Sequence, residues 1–305
     1  MRLTKIKRIL IAGAVTGISL FSLLSPLFPA FKDPGFLARP TGMGGAFVAV
    51  ADDINAAWYN PAGLAGVPQQ SVLFTYSKPY AGLDGVNISM AYASYLYPFR
   101  KQGTAAVSWA RFDTVDLYQE NTIMLSYGYD FDVIQAGVNL THLNHAVTTD
   151  ARSANDAVFA GGTSKNAVSA DIGVLKRFTP TFSVGAVAKS LNQPDVGFAS
   201  NDPVPSEYRI GAAKVFELSG SNITAALDAG YRNKEYNVYA GGEAWFLQNT
   251  VAARIGGNRN DASIGASYLF RMSQTSTLKM DYSFSWPFSI EGTSGSHRLS
   301  LVLQF

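Results

Sequence analysis

The 305-residue chain has no cysteine, only three histidines and few charges: Asp, Glu, Lys and Arg make up 15% of it, against ~25% in an ordinary soluble domain. Without cysteine there is no disulfide, no thiolate metal site and no cysteine nucleophile. The histidines do not assemble a site either. His142 and His145 are an odd number of positions apart and point to opposite sides of a strand, and His297 is distant in sequence. No Ser–His pair suits a hydrolase, and no GK[ST] or GxGxxG loop stands between a strand and a helix. These absences predict a non-enzyme with no metal and no cofactor. The formal net charge is +2, with no basic run beyond the extreme N-terminus, which speaks against a nucleic-acid partner. After residue 24 no apolar run approaches the ~20 residues of a helical membrane span.

What the chain has instead is aromatic and apolar surface. Aromatics are 12% of the residues, with Tyr 15 and Phe 19, more than a water-facing surface absorbs. The N-terminus reads as a secretion signal over residues 1–30. Arg2, Lys5, Lys7 and Arg8 precede the apolar run Ile9 to Leu24, and Ala30 is the favoured cleavage point despite Phe28 three positions earlier. No cysteine follows for a lipid anchor, so the expectation is export to the outer membrane.

From Gln70 onward apolar and polar residues alternate with period two, the mark of strands. In Thr277 to Trp286, Leu278, Met280, Tyr282, Phe284 and Trp286 share one face; Lys279, Asp281, Ser283 and Ser285 share the other. Ile123 to Phe131, Ile223 to Tyr231 and Leu299 to Phe305 repeat the pattern. About fourteen such segments run from 70–78 to 295–305, many longer than the ~5–6 residues of a soluble strand. Connections alternate between tight turns and mostly longer loops, among them 79–85, 112–118, 145–165, 191–204 and 287–294. The links 232–234 and 258–260 are short exceptions. Phe99, Phe131, Phe178, Phe216, Phe246, Phe270 and Phe305 each fall beside a tight turn or the C-terminus, as an interfacial girdle would. The pattern predicts a transmembrane antiparallel β-barrel over residues 69–305, facing outer-membrane lipid. A soluble β-sandwich is the rival, and it offers no reason for one phenylalanine per hairpin at one rim.

Residues 31–68 have a different texture. Gly42, Gly44 and Gly45 bracket Met43 and permit a tight bend. Asp52 or Asp53 is a candidate N-cap for a short helix through Trp58. Asn60-Pro61 is a second cap, opening a helical turn that Gly63 and Gly66 end. The segment reads as a short helical plug inside the barrel, although alone it equally suits a surface helix. Its apolar residues Phe47, Val48, Trp58 and Tyr59, with Asn60 and Pro61, are candidates for lining a ligand path. On the strands, Asp171, Lys189, Arg209, Asp228, Glu243, Arg254, Lys279, Asp281 and Arg298 face the presumed lumen. Their default role is a ladder gripping the plug. Lys279, Asp281 and Arg298 share a face on neighbouring strands and, with Glu243, are expected to form a polar network.

The run Ala38-Arg39-Pro40-Thr41-Gly42-Met43-Gly44-Gly45-Ala46-Phe47, then Ala51-Asp52-Asp53, then Tyr59-Asn60-Pro61-Ala62-Gly63-Leu64-Ala65, resembles the N-terminal signature of the FadL-like superfamily, nearest its PorV/PorQ branch. The resemblance implies a fourteen-stranded barrel with an N-terminal hatch. It implies passive uptake of hydrophobic small molecules resembling fatty acids, gated by that hatch. The PorV-like side implies an adapter of a type IX-like secretion system, binding secretion-system proteins through external loops. The terminal Phe305 is similar to the signal such barrels present to the barrel-insertion machinery. The loops are modest for a fatty-acid transporter, which weakens the case for a high-affinity external capture site.

Overall fold

The computed structural model describes residues 30–85, 87–99, 102–150, 153 and 156–305; the expected secretion signal lies almost wholly outside them. Residues 30–33 belong to a separate N-terminal unit and contain neither helix nor strand.

From Pro34 onward the chain forms a closed barrel of fourteen strands around an irregular segment. In order they are β1 (Ser71–Lys78), β2 (Ile88–Pro98), β3 (Thr104–Thr114), β4 (Tyr118–Asp130), β5 (Gln135–Val147), β6 (Ser164–Thr179) and β7 (Phe182–Lys189). The second half is β8 (Glu207–Leu218), β9 (Ser221–Arg232), β10 (Glu235–Phe246), β11 (Val251–Asn258), β12 (Asp261–Arg271), β13 (Thr277–Pro287) and β14 (Ser296–Gln304). Each strand pairs antiparallel with its sequence neighbours, and β1 closes on β14 from Ser71↔Gln304 to Lys78↔His297. A closed ring leaves no unpaired edge, which a lipid environment requires of a sheet.

Alternation decides which side chains face out. On β13 Lys279, Asp281, Ser283 and Ser285 are buried inside, while Met280, Tyr282 and Trp286 are exposed. Leu299 and Leu301 on β14 and Ile123, Leu125 and Tyr127 on β4 are exposed too. The apolar residues face outward and the buried core lies within the ring, the reverse of a sandwich. That core is the plug: Leu37, Met43, Phe47, Ile54 and Leu64 are fully buried against wall residues such as Leu73 and Leu96.

All seven girdle phenylalanines end on the rim that also carries Gln70 and the C-terminus, each between 40% and 57% exposed. Every strand connection at this rim is short, whereas the long loops all lie on the opposite one, which makes this the periplasmic rim. The opposite rim carries loops 148–163 and 190–206. One expectation fails there. The loop placed at 112–118 is only residues 115–117, because β3 and β4 continue their ladder to Thr114↔Tyr118. Polar residues at the strand ends hid that continuation; Arg111 donates to Gln119 across it at 2.8 Å.

Candidate functional site

The plug has little regular structure: helix α1 (Ala38–Gly42), helix α2 (Ala56–Tyr59) and a 3-10 turn, Pro61–Gly66. Asn60 does cap that last turn, its Oδ1 accepting from the Ala62 N–H at 3.2 Å ahead of Pro61. The expected aspartate ahead of α2 has two roles. Asn55 itself offers no side-chain cap, but Asp53 Oδ1 accepts the Asn55 N–H at 2.9 Å in the turn that leads into the helix, while its Oδ2 faces cations.

Between residues 34 and 67 only Arg39, Asp52 and Asp53 are charged, and all three meet in one cluster. Arg39 grips Glu243 of β10 bidentately, Nε to Oε2 at 2.9 Å and Nη2 to Oε1 at 2.8 Å. Its Nη1 reaches Asp53 at 2.7 Å and the half-exposed Asp52 at 2.6 Å. Glu243 also takes Arg254 Nε of β11 at 2.5 Å, and Arg254 Nη2 lies 3.3 Å from Asp281. Lys279 Nζ is 3.6 Å from Asp281 and 3.0 Å from Asp53. The circuit is therefore closed, Asp53–Arg39–Glu243–Arg254–Asp281–Lys279, with cations and anions alternating and no net charge. Two members belong to the plug and four to the wall. An isolated charge could not be held there, since desolvation costs several kcal/mol per ion.

Sequence reasoning found Glu243, Lys279 and Asp281 but joined them to Arg298. Arg298 instead donates to the Pro34 and Gly35 carbonyls and, at 2.9 Å, to Ser285 Oγ, so it holds the start of the plug. Arg254, placed on the lumen face, was not joined to the network, and the partners missed outright were Arg39 and Asp53. Their signal was present, as rare charges in an apolar segment that needed counter-charges on the wall.

Other wall side chains satisfy the plug's irregular backbone. Asp228 Oδ2 accepts the Phe47 and Val48 N–H groups at 2.9 and 3.0 Å and pairs with Arg209 at 2.9 Å. Arg209 donates to the Gly45 carbonyl, Ser183 to Ala49, Asn139 to Ala57 and Lys189 to Trp58. Asn60 Nδ2 ties the Val48 carbonyl at 2.9 Å to the Val174 carbonyl of β6 at 3.1 Å. Without such partners a non-helical chain at membrane depth would leave its N–H and C=O groups unsatisfied.

The wall makes room by omitting side chains. A Cβ on Gly241 or Gly256 would overlap the backbone of Met43, and on Gly137 that of Pro61. On Gly185 it would stand 2.5 Å from the Val48 carbonyl oxygen. Glycine inside a strand marks close approach of another backbone, and here that backbone is the plug.

Of the six proposed path residues, Phe47, Val48, Tyr59, Asn60 and Pro61 are buried. Trp58 alone keeps part of its surface. It packs edge-on against Phe36 and Tyr92 at 5.1 and 5.7 Å, with Lys189 Nζ 5.7 Å above its ring. Its indole N–H has no hydrogen-bond partner among the described residues.

The two long external loops brace one another. His145 stacks on Phe198 at 4.6 Å and contacts the Val196 carbonyl through Nε2 at 2.7 Å, while Phe159 meets Phe198 edge-on. Val196 and Val204 are buried beneath. Asp195 accepts the Gly197 and Asp202 N–H groups at 3.0 and 2.8 Å. These two hydrogen bonds hold its carboxyl below the usual carboxylate range. Among the described residues no group of His, Asp and Glu side chains is placed to hold a metal ion.

A lipid-facing ring of fourteen antiparallel strands with a pinned segment in its lumen defines an outer-membrane barrel of FadL-like architecture. More particularly, the chain belongs to the family of type IX secretion system membrane proteins PorP/SprF, which it matches over residues 54–303. Among solved structures it is similar to the toluene transporter TbuX of Ralstonia pickettii, with TM-score 0.59 and 11% identity over 90% of this chain and 99% of that one. The CymD monoaromatic hydrocarbon channel gives TM-score 0.58 and 12% identity over 90% and 98% of the two chains. A Pseudomonas aeruginosa FadL homologue gives TM-score 0.54 and 12% identity over 88% and 97%. At these identities the likeness is one of fold. No curated protein matches the chain.

Proposed function

We propose that this barrel is a closed scaffold of a type IX secretion system, holding partner proteins at the cell surface through loops 148–163 and 190–206. The observation that carries the reading is the fixing of the plug. A segment held by a closed ring of ion pairs, by side chains on its carbonyls and by backbone contact at wall glycines is built to stay in place. The family assignment supplies the secretion context, and the braced outer loops supply a defined surface for a partner. Deleting 191–204 from the full chain in its own bacterium tests this. The barrel should still fold and keep its heat-shifted gel mobility, while secreted cargo accumulates in the periplasm. Normal secretion by that deletion overturns the reading.

A second reading has its own support, the fold shared with toluene and monoaromatic hydrocarbon channels. Under it the barrel passively admits hydrophobic small molecules, and Trp58, the partly exposed aromatic of the plug, touches them. Liposomes containing the protein would then take up a fatty-acid analogue, and Trp58→Ala would slow the uptake. Absence of uptake by the unaltered protein rules it out.

A further inference from the structure

The outer wall is not uniformly proud. Outward side chains on most strands are exposed, among them Ile172 at 46% on β6 and Tyr208 at 50% and Ile210 at 58% on β8. On β7, between them, the outward residues Val184, Ala186 and Ala188 are only half-exposed. Ala188 lies between Ile172 and Tyr208, and Ala186 between Val174 and Ile210. Two methyl groups flanked by long side chains leave a furrow, and its volume is about 530 Å³. It continues over Ala229 of β9 to Tyr231 and Tyr236, which flank the external β9–β10 turn with their rings 4.8 Å apart.

We infer that this furrow is a binding site for one acyl chain of a resident outer-membrane lipid, with the tyrosines at the level of its headgroup. Three features select that occupant. The furrow is continuous with the wall that faces the bilayer, so hydrocarbon is the medium around it. It is too narrow for a helix, since β6 and β8 flank β7 at one strand spacing of ~4.8 Å on either side, and a helix with its side chains is ~10–12 Å across. Its side chains below the tyrosines are all aliphatic, so an extended peptide would leave its N–H and C=O groups unpaired. A flexible hydrocarbon chain meets none of these objections. Tyrosines at its outer end suit the boundary between hydrocarbon and headgroup, where an amphipathic ring is favoured.

Native mass spectrometry of the full-length barrel, extracted from its own membrane in mild detergent, tests the site. The unaltered protein should keep one lipid of phospholipid or lipid A mass per barrel. Ala186→Phe with Ala188→Phe fills the furrow and should abolish that adduct, with heat-shifted gel mobility reporting that the barrel is intact. Ile264→Phe on β12, an outward position elsewhere on the wall, should leave it unchanged. The inference is overturned if the unaltered barrel keeps no lipid, or only detergent or free fatty acid. Equal retention by the filled variant, or equal loss in the β12 variant, also overturns it.

Discussion

Arg39 meets three carboxylates at once, those of Asp52, Asp53 and Glu243, and its removal exposes the logic of the charge circuit. Arg39→Ala leaves Asp53 sharing Lys279, and Glu243 sharing Arg254, with one cation fewer for three buried carboxylates. Breaking a buried pair costs ~3–5 kcal/mol, so the temperature at which the folded gel band disappears should fall clearly. Arg39→Lys should lie between, because an ammonium cannot form the two-pronged contact with Glu243. If Arg39→Ala melts with the unaltered protein, the circuit contributes no stability. Gly241→Val tests the steric half of the same seat. Its side chain would overlap the Met43 carbonyl, and an overpacked interior typically costs ~1–3 kcal/mol. Protease cleavage within 34–67 should appear in that variant. A plug as resistant as before would mean that the wall yields instead.

At the scale of elements, the strands and the presence of a short helical plug were legible, and the plug's contacts were not. Which way a strand residue points depends on its immediate neighbours, so alternation sufficed for Leu278, Tyr282 and Leu301. The plug's contacts join residues far apart in sequence, Arg39 to Glu243 and Asp228 to Phe47, and no local period marks them. Asp53 keeps the local role its position suggests, Oδ1 accepting the Asn55 N–H, and its Oδ2 adds a long-range one with Arg39 and Lys279 that no local pattern marks. The outer loops are testable as elements. Asp195 is held in its charged form by the Gly197 and Asp202 N–H groups, so its folded pKa lies below the unfolded one. A depressed carboxylate contributes stability that is present above the unfolded pKa and lost as pH falls through the folded pKa. Limited proteolysis of loop 190–206 should therefore be constant near neutrality and rise only on strong acidification. Asp195→Ala should be cleaved readily at every pH. Unchanged cleavage in that variant removes the turn from the account.

For the whole molecule, the scarcity of charge that opens the sequence has a single cause. The outward half of the wall meets hydrocarbon, and the few charges left are mostly concentrated inside or at the rims. Phe305 belongs to this scale. Its N–H donates to Gln70 at 3.0 Å while its ring stands 45% exposed at the periplasmic rim. Phe305→Ala should slow assembly into the membrane, read as unfolded chain in a pulse-chase gel shift, yet leave the assembled barrel's melting nearly unchanged. Equal assembly rates would assign the ring to the girdle alone.

The central claim is that the stopper does not leave its seat when the barrel works. The chain has no cysteine, so a single pair can be introduced against a clean background. Ala49→Cys with Ser183→Cys places thiols on a plug residue and a wall residue that are already in contact, the Ser183 hydroxyl donating to the Ala49 carbonyl at 2.7 Å. Secretion by cells carrying the oxidised, cross-linked barrel should equal that of the reduced one. Secretion that stops on oxidation and resumes on reduction would contradict the account and make the plug a moving gate.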